Sequence, residues 1–289
     1  MKKELTITKA SGESATFSEK KLRTSLDRAG ANELQISEIL EEISPKLYEG
    51  ISTKKIYRIA FNLLKNSSRH IAAKYHLKNA IMELGPSGFP FERFVAEILH
   101  CQGYRVSVGQ FVKGLCVQHE IDVIAQLDNK QLMIECKYHN QQGIFCDVKI
   151  PLYIQSRFKD VEAEWQKAPE KGIEHYQGWV ITNTRFSSDA MQYGACAGLN
   201  LVGWDYPLKG SLKDQIDTLG LYPITCLTSL TKSEKQKLLD LKLILCKDLL
   251  KNSSLLEQIV LKQSRMDTIL QEAHQLCKHL TNSDKEITL

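Results

Sequence analysis

The sequence predicts a multidomain chain of α+β and α/β class. Its parts are a small helical bundle with a β-hairpin cap, a mixed central sheet flanked by helices, and a helical C-terminal region. Three observations predict this. "GPSGFP" at 85–90 puts two Pro and two Gly into six residues, which breaks any helix and marks a linker. Upstream, a short alternating start gives way to apolar residues at helical spacing. Downstream, strand-like and helical runs alternate as in an α/β domain, until helical spacing returns from about 223. The expected domains are 1–85, 86–222 and 223–289.

The elements follow in order. "ELTITKA" alternates, "SGES" turns and "ATF" resumes an extended strand, so residues 1–17 read as a hairpin. Ser18 is placed as an N-cap, with Lys21 at the third helical position. Helices are expected at 19–30, about 34–48, 53–65 and 68–84. The second has Leu34, Ile36, Ile39, Leu40 and Ile43 near one stripe, and Ser52 or Thr53 caps the third. Past the linker, Phe91, Phe94, Val95, Ile98 and Leu99 follow i, i+3, i+4, i+7, i+8 in a helix over 90–102. Strands are expected near 104–109, 116–126, 131–138 and 178–183, and helices near 150–167 and 187–197. In the last segment, Leu256, Ile259, Val260, Met266, Ile269 and Leu270 mark an amphipathic helix for packing or oligomerisation, so a homo-oligomer is expected. The tail "TNSDKEITL" is expected to fray.

Composition narrows the class. With 43% apolar and 25% charged residues, the 289-residue chain has the balance of a globular protein. No stretch nears the roughly 18 apolar residues needed to span a bilayer. The start "MKKELTITKASGE" lacks an apolar signal core, so a cytoplasmic location and no membrane partner are expected. The eight cysteines form no CxxC pair, which argues against a zinc ribbon. The net charge of +4 divides into +5 over 1–85, −3 over 86–222 and +2 over 223–289. A basic first segment suits a phosphate-bearing ligand, and an acidic middle can house a carboxylate metal site.

The chemistry concentrates in "HEIDVIAQLDNKQLMIECKYHN", residues 119–140. Read as a hairpin with "LDNK" as its turn, it alternates side chains between faces. Leu132, Ile134 and Cys136 share one face; Met133, Glu135 and Lys137 share the other. Pairing of the strands would bring Asp122 beside Glu135. Two carboxylates repel unless a cation lies between them, and Mg²⁺ prefers such oxygen ligands, leaving other positions to water and phosphate. A lysine alongside can orient water or stabilise developing negative charge. The other reading of these charges is a solvated pair on an edge hairpin. His119 and His139 are either functional or plain surface histidines. Gln155 is a candidate to face the site or DNA. Arg185 in "TNTRF" is a candidate phosphate contact, or part of a structural turn.

The pieces "FERFVAEILHCQGYRVSV", "HEIDVIAQ", "LMIECKYHN" and "GWVITNTRFSSDAMQYGACAGLNLVGW" make residues 86–205 resemble the PD-(D/E)XK restriction-endonuclease-like fold, in its Mrr-like branch. The resemblance implies that Asp122 and Glu135 bind Mg²⁺ and that Lys137 is catalytic, with Glu92 on the upstream helix as either an accessory metal ligand or a solvated flank of that helix. Ile121 stands where the motif's name has Pro.

The first segment carries Lys9 at the end of a strand, and Lys20, Lys21 and Arg23 at a helix N-terminus, a plausible phosphate site. "ITKASGESATFSEKKLRTSLDRAGA", "YEGISTKKIYRIA" and "AAKYHLKNAIMEL" resemble an ATP-cone domain over about 3–85. The resemblance implies ATP or dATP as an allosteric ligand, with Lys9, Lys21 and Thr53 as contacts. Ala10 and Ser11 replace the family's second basic residue and its Asp. The C-terminal "YPITCLTSLTKSEKQKLLDLKLILCKDLL" faintly resembles a helix-hairpin-helix DNA-binding unit without its Gly-rich hairpin.

These features lead us to expect a Mg²⁺-dependent DNA endonuclease, of restriction type, regulated by an adenine nucleotide. The alternatives are a nucleotide-responsive DNA-binding regulator with an inactive nuclease fold, and a repair or junction nuclease.

Overall fold

The computed structural model describes residues 5–141, 143–167, 172–260 and 262–277. β1 (Thr6–Thr8) and β2 (Ser14–Thr16) pair antiparallel, with Thr6 opposite Thr16. Gly12 takes a positive φ of 87° in the turn between them, a conformation that costs glycine little. Ser18 caps α1 (Glu19–Arg28) by accepting from the Lys21 amide. An Asn32–Gln35 capping box starts α2 (Glu33–Ile43). Its buried stripe is Ile36, Ile39 and Ile43; Leu34, expected on that stripe, is 76% exposed. Two residues separate Leu34 from Ile36, about 200° around the helix, so the two cannot share a face.

β3 (Ile51–Ser52) adds a short parallel partner to β1, with Ile7 opposite Ile51. Ser52 caps α3 (Thr53–Ser67). The helix expected over 68–84 is two, α4 (Arg69–Tyr75) and α5 (Leu77–Met82). They meet at His76, whose Nδ1 lies 2.6 Å from the Tyr57 hydroxyl.

The middle of the chain opens with α6 (Phe89–Cys101), which buries the five apolar residues its spacing marks. β4 (Arg105–Lys113), β5 (Gln118–Leu127) and β6 (Lys130–Lys137) form an antiparallel meander. β7 (Phe145–Cys146) and α7 (Lys149–Trp165) lead to β8 (His175–Thr182), parallel to β6. β9 (Arg185–Phe186) pairs with β7, and α8 (Ser188–Ala197) leads to β10 (Asn200–Val202), parallel to β8. α9 (Leu212–Leu219) follows. The five-stranded order is β10-β8-β6-β5-β4, a mixed sheet with β6 at its centre. α7 lies close on this sheet because β8 offers Gly178, where a Cβ would meet Leu199 at 2.7 Å and Phe158 at 3.0 Å.

The last segment holds α10 (Lys232–Asp240), α11 (Cys246–Lys251), α12 (Ser254–Glu257) and α13 (Gln263–Cys277). The heptad-like stretch is therefore two helices. Leu256, Val260, Met266 and Ile269 are buried. The buried Glu272 carboxylate accepts from the amides and hydroxyls of both Thr228 and Ser229, at 2.5 to 3.0 Å. Thr225 donates its hydroxyl to the Ala80 carbonyl at 2.7 Å, and α13 packs on α4.

The chain forms two compact units, residues 1–83 with 222–289, and residues 84–221. Where the sequence suggested a separate C-terminal region, the last helices complete the first unit. α4 and α5 carry the apolar residues Ile71, Ala72, Ala73, Ala80 and Ile81, and all are buried there. Among the described residues, no helix is long and apolar enough to cross a membrane. The tail 281–289 lies outside the described residues.

Candidate active site

The site is built by register. Asp128, at a positive φ of 52°, and Asn129 turn β5 into β6, which sets Ala125 opposite Leu132 and Val123 opposite Ile134. The pairing stops there. One position further, Asp122 leaves the ladder and its Oδ2 accepts the Cys136 amide at 2.6 Å. The side chain thus replaces a strand hydrogen bond, which fixes the carboxyl beside β6. Cys136 is buried, while Glu135 and Lys137 take the other face, as parity requires.

On that face Met133 packs with Ile154 and Phe158 of α7. Glu135 continues the row and is buried at 9% exposure. Its Oε1 lies 3.1 Å from the Lys137 ammonium, and its Oε2 2.8 Å from Nη1 of Arg157. Arg157 also donates Nη2 to the Glu120 carbonyl and lies over the Tyr153 ring, 5.5 Å from its centroid. Lys137 keeps about a third of its side chain exposed, so its ammonium reaches solvent.

The electrostatics are those of crowded carboxylates. Burial pushes the Asp122 carboxyl up to about 7, and the Glu135 charge adds to this. The Cys136 amide opposes the rise, Glu92 adds a smaller push, and Arg157 opposes it. Glu92 is also raised, by burial first and then by Glu120 and Glu135. Three carboxyl groups from α6, β5 and β6 therefore feel one another. Among the described residues, no group of three or more His, Cys, Asp and Glu is gathered so as to hold a metal ion by itself. Two carboxylates with water and a phosphate is a set a magnesium ion commonly takes, and Asp122 and Glu135 are the two carboxylates here that could serve in it.

A polar lock secures the end of β6. Lys137 stands opposite Thr182 on β8, and the Thr182 hydroxyl donates to its carbonyl at 2.7 Å. Asn183 brackets His139, accepting its amide at 2.9 Å and donating to its carbonyl at 2.7 Å. Thr182, Asn183 and Thr184 are all buried, so "TNT" is a structural element of the site. His139 is held below its usual range by burial, with Lys137 adding to the effect.

The remaining candidates separate. Arg185 is largely exposed and pairs with Asp205 at 2.9 Å. Gln155 turns to the end of α8, donating to the Ala197 carbonyl at 3.2 Å, and so does not join Glu135. It lies about 200° around α7 from Arg157. His119 places Nε2 2.7 Å from Asp160, whose carboxylate also accepts the amides of Cys116 and Val117. That bond to His119 is the main reason the Asp160 carboxyl sits far below the ordinary range. His119 is thereby assigned to holding the β4–β5 turn on α7.

In the other unit, Thr8 stands opposite Ser52, which brings Lys9 and Thr53 to neighbouring strand ends. Lys9 is exposed and pairs with Glu13 at 3.1 Å. Lys21 lies in the first turn of α1, which enters from the opposite end of β1, where the Phe17 amide donates to the Leu5 carbonyl.

Sequence reasoning missed Arg157. Its signal was a cation one residue from the buried Phe158, beside the stripe of Ile154, Phe158 and Val161.

Residues 222–277 match the family described as AF1548-like, C-terminal. An uncharacterized protein of Archaeoglobus fulgidus is 34% identical over 180 residues, covering 62% of this chain and 97% of that protein. The crystal structure described as a protein of unknown function, AF1548, aligns with a TM-score of 0.54 at 32% identity, covering 67% of this chain and all of the other. The MspJI restriction endonuclease in complex with a 27-mer oligonucleotide aligns at a TM-score of only 0.24 and 14% identity, covering 55% of this chain and 34% of that one, too distant a likeness to carry an argument. The chain belongs to the AF1548-like family.

Proposed function

We propose that the protein is a Mg²⁺-dependent DNA endonuclease of the PD-(D/E)XK type, with an ATP-cone-like first segment that senses ATP or dATP. The observation that carries this reading is the register that sets Asp122 against the Cys136 amide, beside Glu135 and Lys137. Asp122 and Glu135 would hold the ion, with Glu92 beside them. A bound Mg²⁺ supplies a Lewis acid for the phosphate and lowers the pKa of a ligated water. Lys137, partly exposed and anchored on Glu135, stabilises charge that develops on the phosphate. Arg157 fixes the rotamer of Glu135 from behind, so the carboxylate is positioned before a ligand arrives.

In the first segment, Lys9 and Thr53 are the neighbouring contacts; Lys21, at the opposite end of β1, stands apart from that pair. Adenine nucleotide controls the nuclease to the extent that two states of the protein bind it differently. Restriction of foreign DNA is the role we assign.

The test is cleavage of plasmid, methylated, branched and single-stranded DNA with Mg²⁺, with and without ATP or dATP. Cutting that depends on Mg²⁺ and changes with nucleotide supports both halves. A wild-type protein that cuts none of these substrates under any condition removes the nuclease reading. Calorimetry of the full chain with ATP tests the sensor: no heat signal at millimolar nucleotide removes it.

A further inference from the structure

We propose that the site acts on unpaired DNA, with Tyr153 as the platform for an unstacked base. This rests on the nuclease reading and names its substrate class. Tyr153 lies in the first turns of α7 with 61% of its surface exposed. The Arg157 guanidinium lies over the ring, 5.5 Å from its centroid, and the same guanidinium bonds Glu135 at 2.8 Å. One side chain therefore separates an exposed aromatic ring from the carboxylate at the centre of the site.

The surroundings agree. β6 and β8 are parallel and end together at Lys137 and Thr182. β7 and β9 follow those ends, and their pairing sets exposed Phe145 opposite exposed Arg185. Ile144 and Leu152 are exposed in the same stretch of chain, and Lys149 is exposed at the start of α7. Ile144, Phe145, Leu152 and Tyr153 are thus all exposed within ten residues of chain, and large apolar groups left in water mark binding surfaces where they gather. Tyr153 has Lys149 one helical turn away on α7 and is linked to Lys137 through Arg157 and Glu135, and a ring with such cations matches a nucleic-acid strand: rings stack on bases and cations meet phosphates. In a duplex the base faces are hidden in the stack. Only a single strand, a bubble or an extruded nucleotide can offer a base to Tyr153 while its phosphate meets Lys137.

The experiment uses the full chain with oligonucleotides carrying a 2-aminopurine, as single strand, as duplex and as a duplex with a central bubble. Binding and fluorescence are read in EDTA, and cleavage is read separately in Mg²⁺. We expect the single strand and the bubble to bind at least about tenfold tighter than the duplex, with quenching on stacking. Tyr153→Ala should lose about fivefold or more of that affinity and the quenching, and Tyr153→Phe should restore both. Equal affinity for duplex and single strand, or Tyr153→Ala within twofold of wild type on the single strand, overturns the proposal. So does a Tyr153→Ala protein that changes its oligomeric mass and keeps its DNA affinity. Stacking in EDTA without cleavage in Mg²⁺ supports the platform and removes the nuclease reading. Equal cleavage of duplex and bubble overturns the platform and leaves that reading standing.

Discussion

Replacing Asp122 by Asn should stabilise the metal-free protein at alkaline pH. Asn keeps an oxygen for the Cys136 amide but carries no charge beside Glu135. The magnitude follows from the folded-state value of about 7 against the ordinary 3.8. Because the value is raised, the folded state holds its proton more tightly than the unfolded chain. The associated stability is fully present below about pH 4 and is lost as pH rises to 7. Between pH 5 and 8.5 the wild type passes about two pH units of that window, each worth ~1.4 kcal/mol. Water at the partly exposed carboxyl trims the total to about 2 kcal/mol. All three tryptophans, Trp165, Trp179 and Trp204, lie in the 84–221 unit, so their fluorescence follows its unfolding. Urea unfolding in EDTA at pH 5 and 8.5 should show Asp122→Asn gaining on wild type by about 2 kcal/mol across the range. A difference that stays constant with pH, or that falls as pH rises, would refute the idea that burial, with the Glu135 charge beside it, presses on Asp122.

Glu272→Gln should cost about 3 kcal/mol in thermal unfolding, because an amide nitrogen cannot accept from the donors that converge on that carboxylate. A loss under about 1 kcal/mol would contradict this. Arg157→Gln should lower kcat about tenfold or more with a smaller change in KM, as expected when a catalytic carboxylate loses its rotamer; Arg157→Lys should recover part of it. Asp160→Asn should speed amide hydrogen exchange at Cys116 and Val117, whose amides it accepts, and unchanged protection there would count against the assignment of His119 and Asp160 to that turn.

The local parts of this account were legible in the sequence. Alternation along "QLMIECK" separates Cys136 from Glu135 and Lys137 without reference to any other element. The i, i+3, i+4 spacing of α6 and the caps at Ser18 and Ser52 are likewise properties of a few consecutive residues. What escaped depends on distant partners. β3 is two residues long and exists because β1 lies beside it. Arg157 acquires meaning only when α7 crosses the sheet near Glu135, 22 positions away in sequence. Gln155 read as a candidate to face the site or DNA, and the helix rotation turns it to Ala197 instead. The last helices read as independent because an amphipathic pattern states that a face is buried and not against what. Asp122 lies between the two cases: its residue type was legible, and its position required the strand pairing.

The central claim is that Asp122, Glu135 and Lys137 form one metal-dependent phosphodiesterase site. Single-turnover cleavage in Mg²⁺ by wild type and Lys137→Ala, with DNA affinity measured alongside, tests it most directly. The account predicts that the variant loses about a hundredfold or more in rate while its DNA affinity falls far less. A Lys137→Ala protein that cuts as fast as wild type would contradict it.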